Sequence, residues 1–63
     1  MTLAEALQKA VKLGIEVRIE QPASRAATLD MKWCFTEHWG DHGGSAEKAT
    51  IRAIERVIER NKQ

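Results

Sequence analysis

Apolar residues recur along this chain first with the period of a helix, then with the period of a strand, and the changes of period mark its elements. Leu3, Ala6, Leu7, Ala10, Val11 and Leu13 fall on one side at 100° per residue, with Glu5, Gln8, Lys9 and Lys12 on the other. The segment predicts an amphipathic helix. Thr2 followed by Glu5 fits a capping box at its start, and Gly14 fits its stop. From Ile15 the period is two: Ile15, Val17 and Ile19 alternate with Glu16, Arg18 and Glu20, as in a strand buried on one face. Residues 21–28, QPASRAAT, hold the only proline among small residues and read as a loop with Arg25 near its tip. A second strand is expected from about Leu29 to Trp39, where Leu29, Met31, Trp33 and Phe35 alternate with Asp30, Lys32, Cys34 and Thr36, and Trp33 and Phe35 anchor the core.

After GDHGG, Ser45 suits an N-cap and Glu47 complements the first turn of a second helix. Its apolar side is Ala46, Thr50, Ile51, Ala53, Ile54, Val57 and Ile58, and it runs out in the cation-bearing RNKQ. The expected fold is α+β, a single domain over residues 1–63 in two layers, α-β-β-α, with one antiparallel hairpin packed by two helices. A lone hairpin leaves both its edges open, and exposed edges invite a further chain. Homodimerisation is therefore expected to complete the sheet.

The length strengthens that expectation, since 63 residues bury only roughly 60% of the surface of the unfolded chain. Natural domains of this size lean on disulfides, metals or oligomerisation, and Cys34 is the only cysteine. Hydrophobic residues at 43% and charged residues at 30% describe an ordinary globular chain rather than a disordered one. A net charge of +1 supplies no global field toward nucleic acid or an anionic membrane, so any such binding needs a local patch. The first residues lack the pattern of a signal peptide, and no apolar run reaches the length of a membrane span. The expectation is a soluble protein of the cytoplasm with no membrane partner.

Candidate chemistry concentrates in TEHWGDHGGSAEKA, residues 36–49. Cys34, His38 and His42 are spaced C-x3-H-x3-H and bear zinc's preferred donors, but on a strand rising about 3.3 Å per residue Cys34 and His38 stand about 13 Å apart. No metal and no other cofactor is expected. The same separation argues against a thiol–imidazole nucleophile, and so small a domain offers little room for a water-excluded pocket, so no enzymatic activity is expected.

HGGSAEK reads either as a tight turn with Ser45 as cap or as an anion cradle in which Gly43, Gly44 and Ser45 present backbone amides at a helix start. Lys48, Arg52, Arg56 and Arg60 recur every four residues along the second helix, either as a basic ridge or as a solvated face paired with Glu55 and Glu59. Trp39 reads equally as core rim or as a contact residue.

The segments TLAEALQKAVKLGIEVRIE and DMKWCFTEHWGDHGGSAEKATIRAIERVI resemble the small phage and prophage proteins of αβα-sandwich type, with Trp33, Cys34, Gly43, Gly44, Ala49, Ala53 and Ile54 carrying the likeness. The hairpin-to-helix portion is also similar to HicB-type antitoxins, from whose acidic turn GDHGGSAEKA departs. The phage resemblance implies a non-enzymatic accessory protein, in the host cytoplasm if phage-encoded, that binds and modulates or inhibits a host protein such as a defence component. The residues expected to meet that partner are Trp39, His38, His42 and Arg25. The alternative is a nucleotide or nucleic-acid module using Trp39, the turn at Gly43, Gly44 and Ser45, and the basic residues Lys48, Arg52 and Arg56.

Overall fold

The computed structural model of the chain describes residues 1–61, as α1 (Leu3–Leu13), β1 (Ile15–Glu20), β2 (Ala23–Thr28), β3 (Cys34–His38), a 3-10 turn (Trp39–His42) and α2 (Ala46–Asn61). Lys62 and Gln63 of the expected basic helix end lie outside the described residues. The capping box forms as expected: the Glu5 amide donates to Thr2 Oγ1 at 3.2 Å and the Thr2 amide to Glu5 Oε1 at 2.9 Å. Gly14 ends α1 in the left-handed region at φ 70°, where its amide reaches the carbonyls of Ala10 and Val11.

Both helices pack on one face of an antiparallel sheet of order β1-β2-β3, the expected α+β layering. The strand count differs from expectation: the sheet has three strands, and the chain runs α-β-β-β-α. Residues 21–28, expected as a loop, supply the central strand. The turn is confined to Gln21 and Pro22, across a cis peptide bond, and Ala23–Thr28 pair with both neighbours, Ser24 opposite Ile19 and Glu37, Ala26 opposite Val17 and Phe35. Strand propensity largely measures how side chains pack on a pleated surface. Here α2 lies directly over β2, and Ser24 and Ala26 are fully buried beneath it, so small residues fit where branched ones would hold the layers apart.

The start of the expected second strand is in turn a loop. Asp30 accepts from the Thr28 hydroxyl at 2.6 Å and the Lys32 amide at 3.0 Å, the Met31 amide donates to the Thr28 carbonyl at 2.9 Å, and Met31 has φ 62°. A short acidic side chain that bonds its own backbone two residues on makes a turn, whatever the alternation around it. Leu29 and Met31 are thereby turned outward, 75% and 55% exposed, and Trp33 sits half-buried at the end of the core rather than within it.

The core is Ala6, Ala10, Ile15, Ala26, Ala53, Ile54 and Val57, with Leu7, Val17, Phe35, Ile51 and Ile58 packed around it. Val11 and Leu13, placed by period on the apolar side of α1, are largely exposed, because the buried stripe is narrow and follows Ala6 and Ala10. On the other face of the sheet the pleat displays Glu16, Arg18 and Glu20, then Ala23, Arg25 and Ala27, then Cys34, Thr36 and His38. No element covers that face among the described residues.

Candidate functional site

The turn after β3 is fastened from inside. Trp39 donates its indole N–H to Ser24 Oγ at 2.9 Å. Ser24 Oγ lies 2.7 Å from Thr50 Oγ1, which is also 2.7 Å from the Ala46 carbonyl. A hydroxyl carries one hydrogen. With that of Thr50 on the carbonyl, the Ser24 hydroxyl donates to Thr50, and a single file of hydrogen bonds runs from Trp39 to the first turn of α2. Ser24 and Thr50 are fully buried, and among the described residues no buried side-chain polar atom lacks a partner. Trp39 thus occupies the core rim, with its polar end committed inward.

Glu37, next to this file on the inner face of β3, holds two partners. His42 Nε2 lies 2.8 Å from its Oε1, and Arg56 Nη1 donates to Oε2 at 2.5 Å. The hydrogen bond to His42, and then that to Arg56, hold the Glu37 carboxyl below its ordinary value of 4.5 against the opposing effect of burial. Arg56 also lies over the Phe35 ring, 4.5 Å from its centroid. This cluster clamps β3, the 3-10 turn and α2 together.

Of the four expected contact residues, Trp39 and His42 therefore point to the helix side, while His38 and Arg25 stand on the opposite face of the sheet. The structure does not bring the four together. The residues of the expected anion cradle are close, but their amides are engaged: Gly43 and Gly44 both donate to the Trp39 carbonyl, Ser45 donates to the His42 carbonyl at 3.2 Å, and Ser45 Oγ caps the Lys48 amide at 3.1 Å. Gly43 and Gly44 have φ of 66° and 83°, which accounts for their glycines as turn residues. Along α2, Arg52 is paired with Glu55 and Glu59 and Arg56 with Glu37, whereas Lys48 and Arg60 have no ion pair among the described residues.

Cys34 and His38 lie at opposite ends of β3, and among the described residues no group of three His, Cys, Asp or Glu side chains is placed to hold a metal ion. No helix among the described residues is long and apolar enough to cross a membrane.

A different site lies at the other end of the sheet. The Leu29–Trp33 loop, the end of α1 and the end of α2 enclose an open cleft of about 440 Å³ lined by Leu13, Leu29, Asp30, Lys32, Trp33 and Arg60. Lys32 Nζ and Arg60 Cζ lie 5.8 and 5.6 Å from the centroid of the Trp33 ring, within the range of cation–π attraction. Neither cation has a carboxylate partner among the described residues. The exposed aliphatic side chains of Leu13 and Leu29 line it, and Met31, also exposed, belongs to the same loop. Reading Leu29, Met31 and Trp33 as inward-facing strand residues hides this corner, and the signal that reveals it is the T-L-D stretch, in which Asp30 can close a turn on Thr28. Comparisons of the chain with protein-family models, with curated proteins and with solved structures returned no match.

Proposed function

We propose that the chain is a non-enzymatic protein-binding module, of the accessory kind that the phage resemblance implies, and that it docks on its partner through the corner formed by Leu13, Leu29, Met31, Lys32, Trp33 and Arg60. One observation supports this reading above the rest: aliphatic side chains that a 63-residue domain has every reason to bury are held outward beside an aromatic ring and two cations without ion partners. Folding energy alone favours the opposite placement, since each such side chain gains roughly 1.5–3 kcal/mol on full burial. Apolar anchors rimmed by charge are what a protein interface uses, the anchors supplying energy and the charges orientation. The matching partner segment carries a large apolar residue flanked by carboxylates.

The nucleotide reading draws less support, because the amides at Gly43, Gly44 and Ser45 and the guanidinium groups of Arg52 and Arg56 are already bonded within the chain. Selection of a random-peptide library on the immobilised protein tests the proposal. Sequences pairing a large apolar residue with Asp or Glu are expected to enrich, and their affinity is expected to fall at least about tenfold on Leu29→Asp, with circular dichroism unchanged. A library that fails to enrich, or peptides that bind Leu29→Asp as well as the parent chain, removes the corner from consideration.

A further inference from the structure

A second surface goes beyond that reading. β1 is an edge of the sheet: its six residues pair with β2 on one side and with nothing on the other among the described residues. Bare edges recruit strands, and what β1 displays selects among the strands it could recruit. On the helix side it carries Ile15, Val17 and Ile19, and Ile19 is 47% exposed where the helices cease to cover it. On the open side it carries Glu16, Arg18 and Glu20.

We infer that β1 pairs antiparallel with β1 of a second copy of this chain, in the register that sets Val17 opposite Val17. The side-chain period of two permits only registers that keep like faces together. Centred on Val17, the pairing places Glu16 opposite Arg18 of the second copy and Arg18 opposite its Glu16, two complementary contacts related by the twofold axis. On the helix side the same register sets Ile15 opposite Ile19, so that each exposed isoleucine meets a buried neighbour's row. Centred one residue further, on Arg18, the strands would set Arg18 against Arg18 and Glu16 against Glu20, all like charges, which repel when directly opposed.

The other edge, β3, offers no comparable match. Centred on Thr36 it would press Phe35 against Glu37, whose carboxylate belongs to His42 and Arg56, and centred on Phe35 it yields no charge pair. The product of the β1 pairing is a continuous six-stranded sheet, a common size, with the helices of both copies on one face.

Charge reversal tests both the edge and the register. The parent chain at tens of micromolar is expected to sediment at twice its single-chain mass of 7.1 kDa. Arg18→Glu and Glu16→Arg, each alone, place like charges at both symmetric contacts and are expected to weaken association about thirtyfold. Mixed in equal amounts, these two variants regain complementarity at every contact and associate with each other. The doubly exchanged chain, Glu16→Arg with Arg18→Glu, again associates with itself. Circular dichroism on each variant reports the fold. A parent chain that stays monomeric to millimolar concentration, single variants that associate like the parent, or a mixture that remains monomeric would each overturn the inference. The cleft around Trp33, which Leu13 and Gly14 line just before β1 begins, is read out separately by peptide binding.

Discussion

Replacing Thr50 by Val is expected to destabilise the domain by about 2 kcal/mol although the two side chains have nearly the same shape. Thr50 is fully buried, and its Oγ1 stands between Ser24 Oγ and the Ala46 carbonyl at 2.7 Å from each. Loss of that oxygen leaves the Ala46 carbonyl its main-chain partner within the helix. The buried Ser24 hydroxyl loses its acceptor, and an orphaned buried donor costs about 1–3 kcal/mol.

Ser24→Ala breaks the same file at a different point. Thr50 keeps the Ala46 carbonyl, and the indole N–H of the half-buried Trp39 can turn to water, so the expected cost is about 1 kcal/mol. In the double variant no orphaned hydroxyl remains. Its cost is expected near 2 kcal/mol instead of the additive 3, a coupling of about 1 kcal/mol, as is usual for residues sharing one network. Urea denaturation at one fixed protein concentration, followed by circular dichroism, measures all three, and Thr50→Val should lower Tm by about 10 °C. Additive costs, or a Thr50→Val change smaller than that of Ser24→Ala, would refute the directional file from Trp39 to Ala46.

Two other outcomes follow from the geometry. Because the Glu37 carboxyl is held below its ordinary 4.5 in the folded chain, its contribution to stability is fully present above that value and is lost as pH falls through the depressed one; Glu37→Gln should flatten the acid limb of a stability–pH curve below about pH 4.5, and a limb unchanged in slope would show that the His42 and Arg56 contacts do not form in solution. Gly14→Ala places a Cβ at φ 70° and 3.4 Å from Leu29 Cδ1, and should cost about 1 kcal/mol in the same denaturation assay, whereas a neutral effect would mean that α1 does not end in the left-handed turn.

The helices were legible because their signals are local. Thr2 and Glu5 sit three residues apart and cap each other, and the apolar stripe of α2 repeats within the helix itself. β1 was legible for the same reason. β2 was not, because ASRAAT carries the composition of a loop, and its strand character comes from α2 lying over it, as in the contact between Ser24 and Thr50, 26 positions apart. At Leu29–Trp33 a period-two pattern was present but overridden by the Asp30 turn, which converted expected core residues into an exposed corner. Within TEHWGDHGGSAEKA the residue types suggested chemistry, yet their partners are Ser24, Thr50 and Arg56, and no spacing along the chain announces those pairings.

The interior assembled by Ala6, Ala10, Ala26, Ala49 and Ala53, all essentially inaccessible to solvent, inverts the usual ranking of harmful changes. In most domains damage comes from trimming large buried residues, which leaves voids. Here much of the contact between layers is made by methyl groups that cannot be trimmed usefully and cannot be enlarged without prising a helix from the sheet. Inheritance of this fold therefore depends on keeping five small residues small.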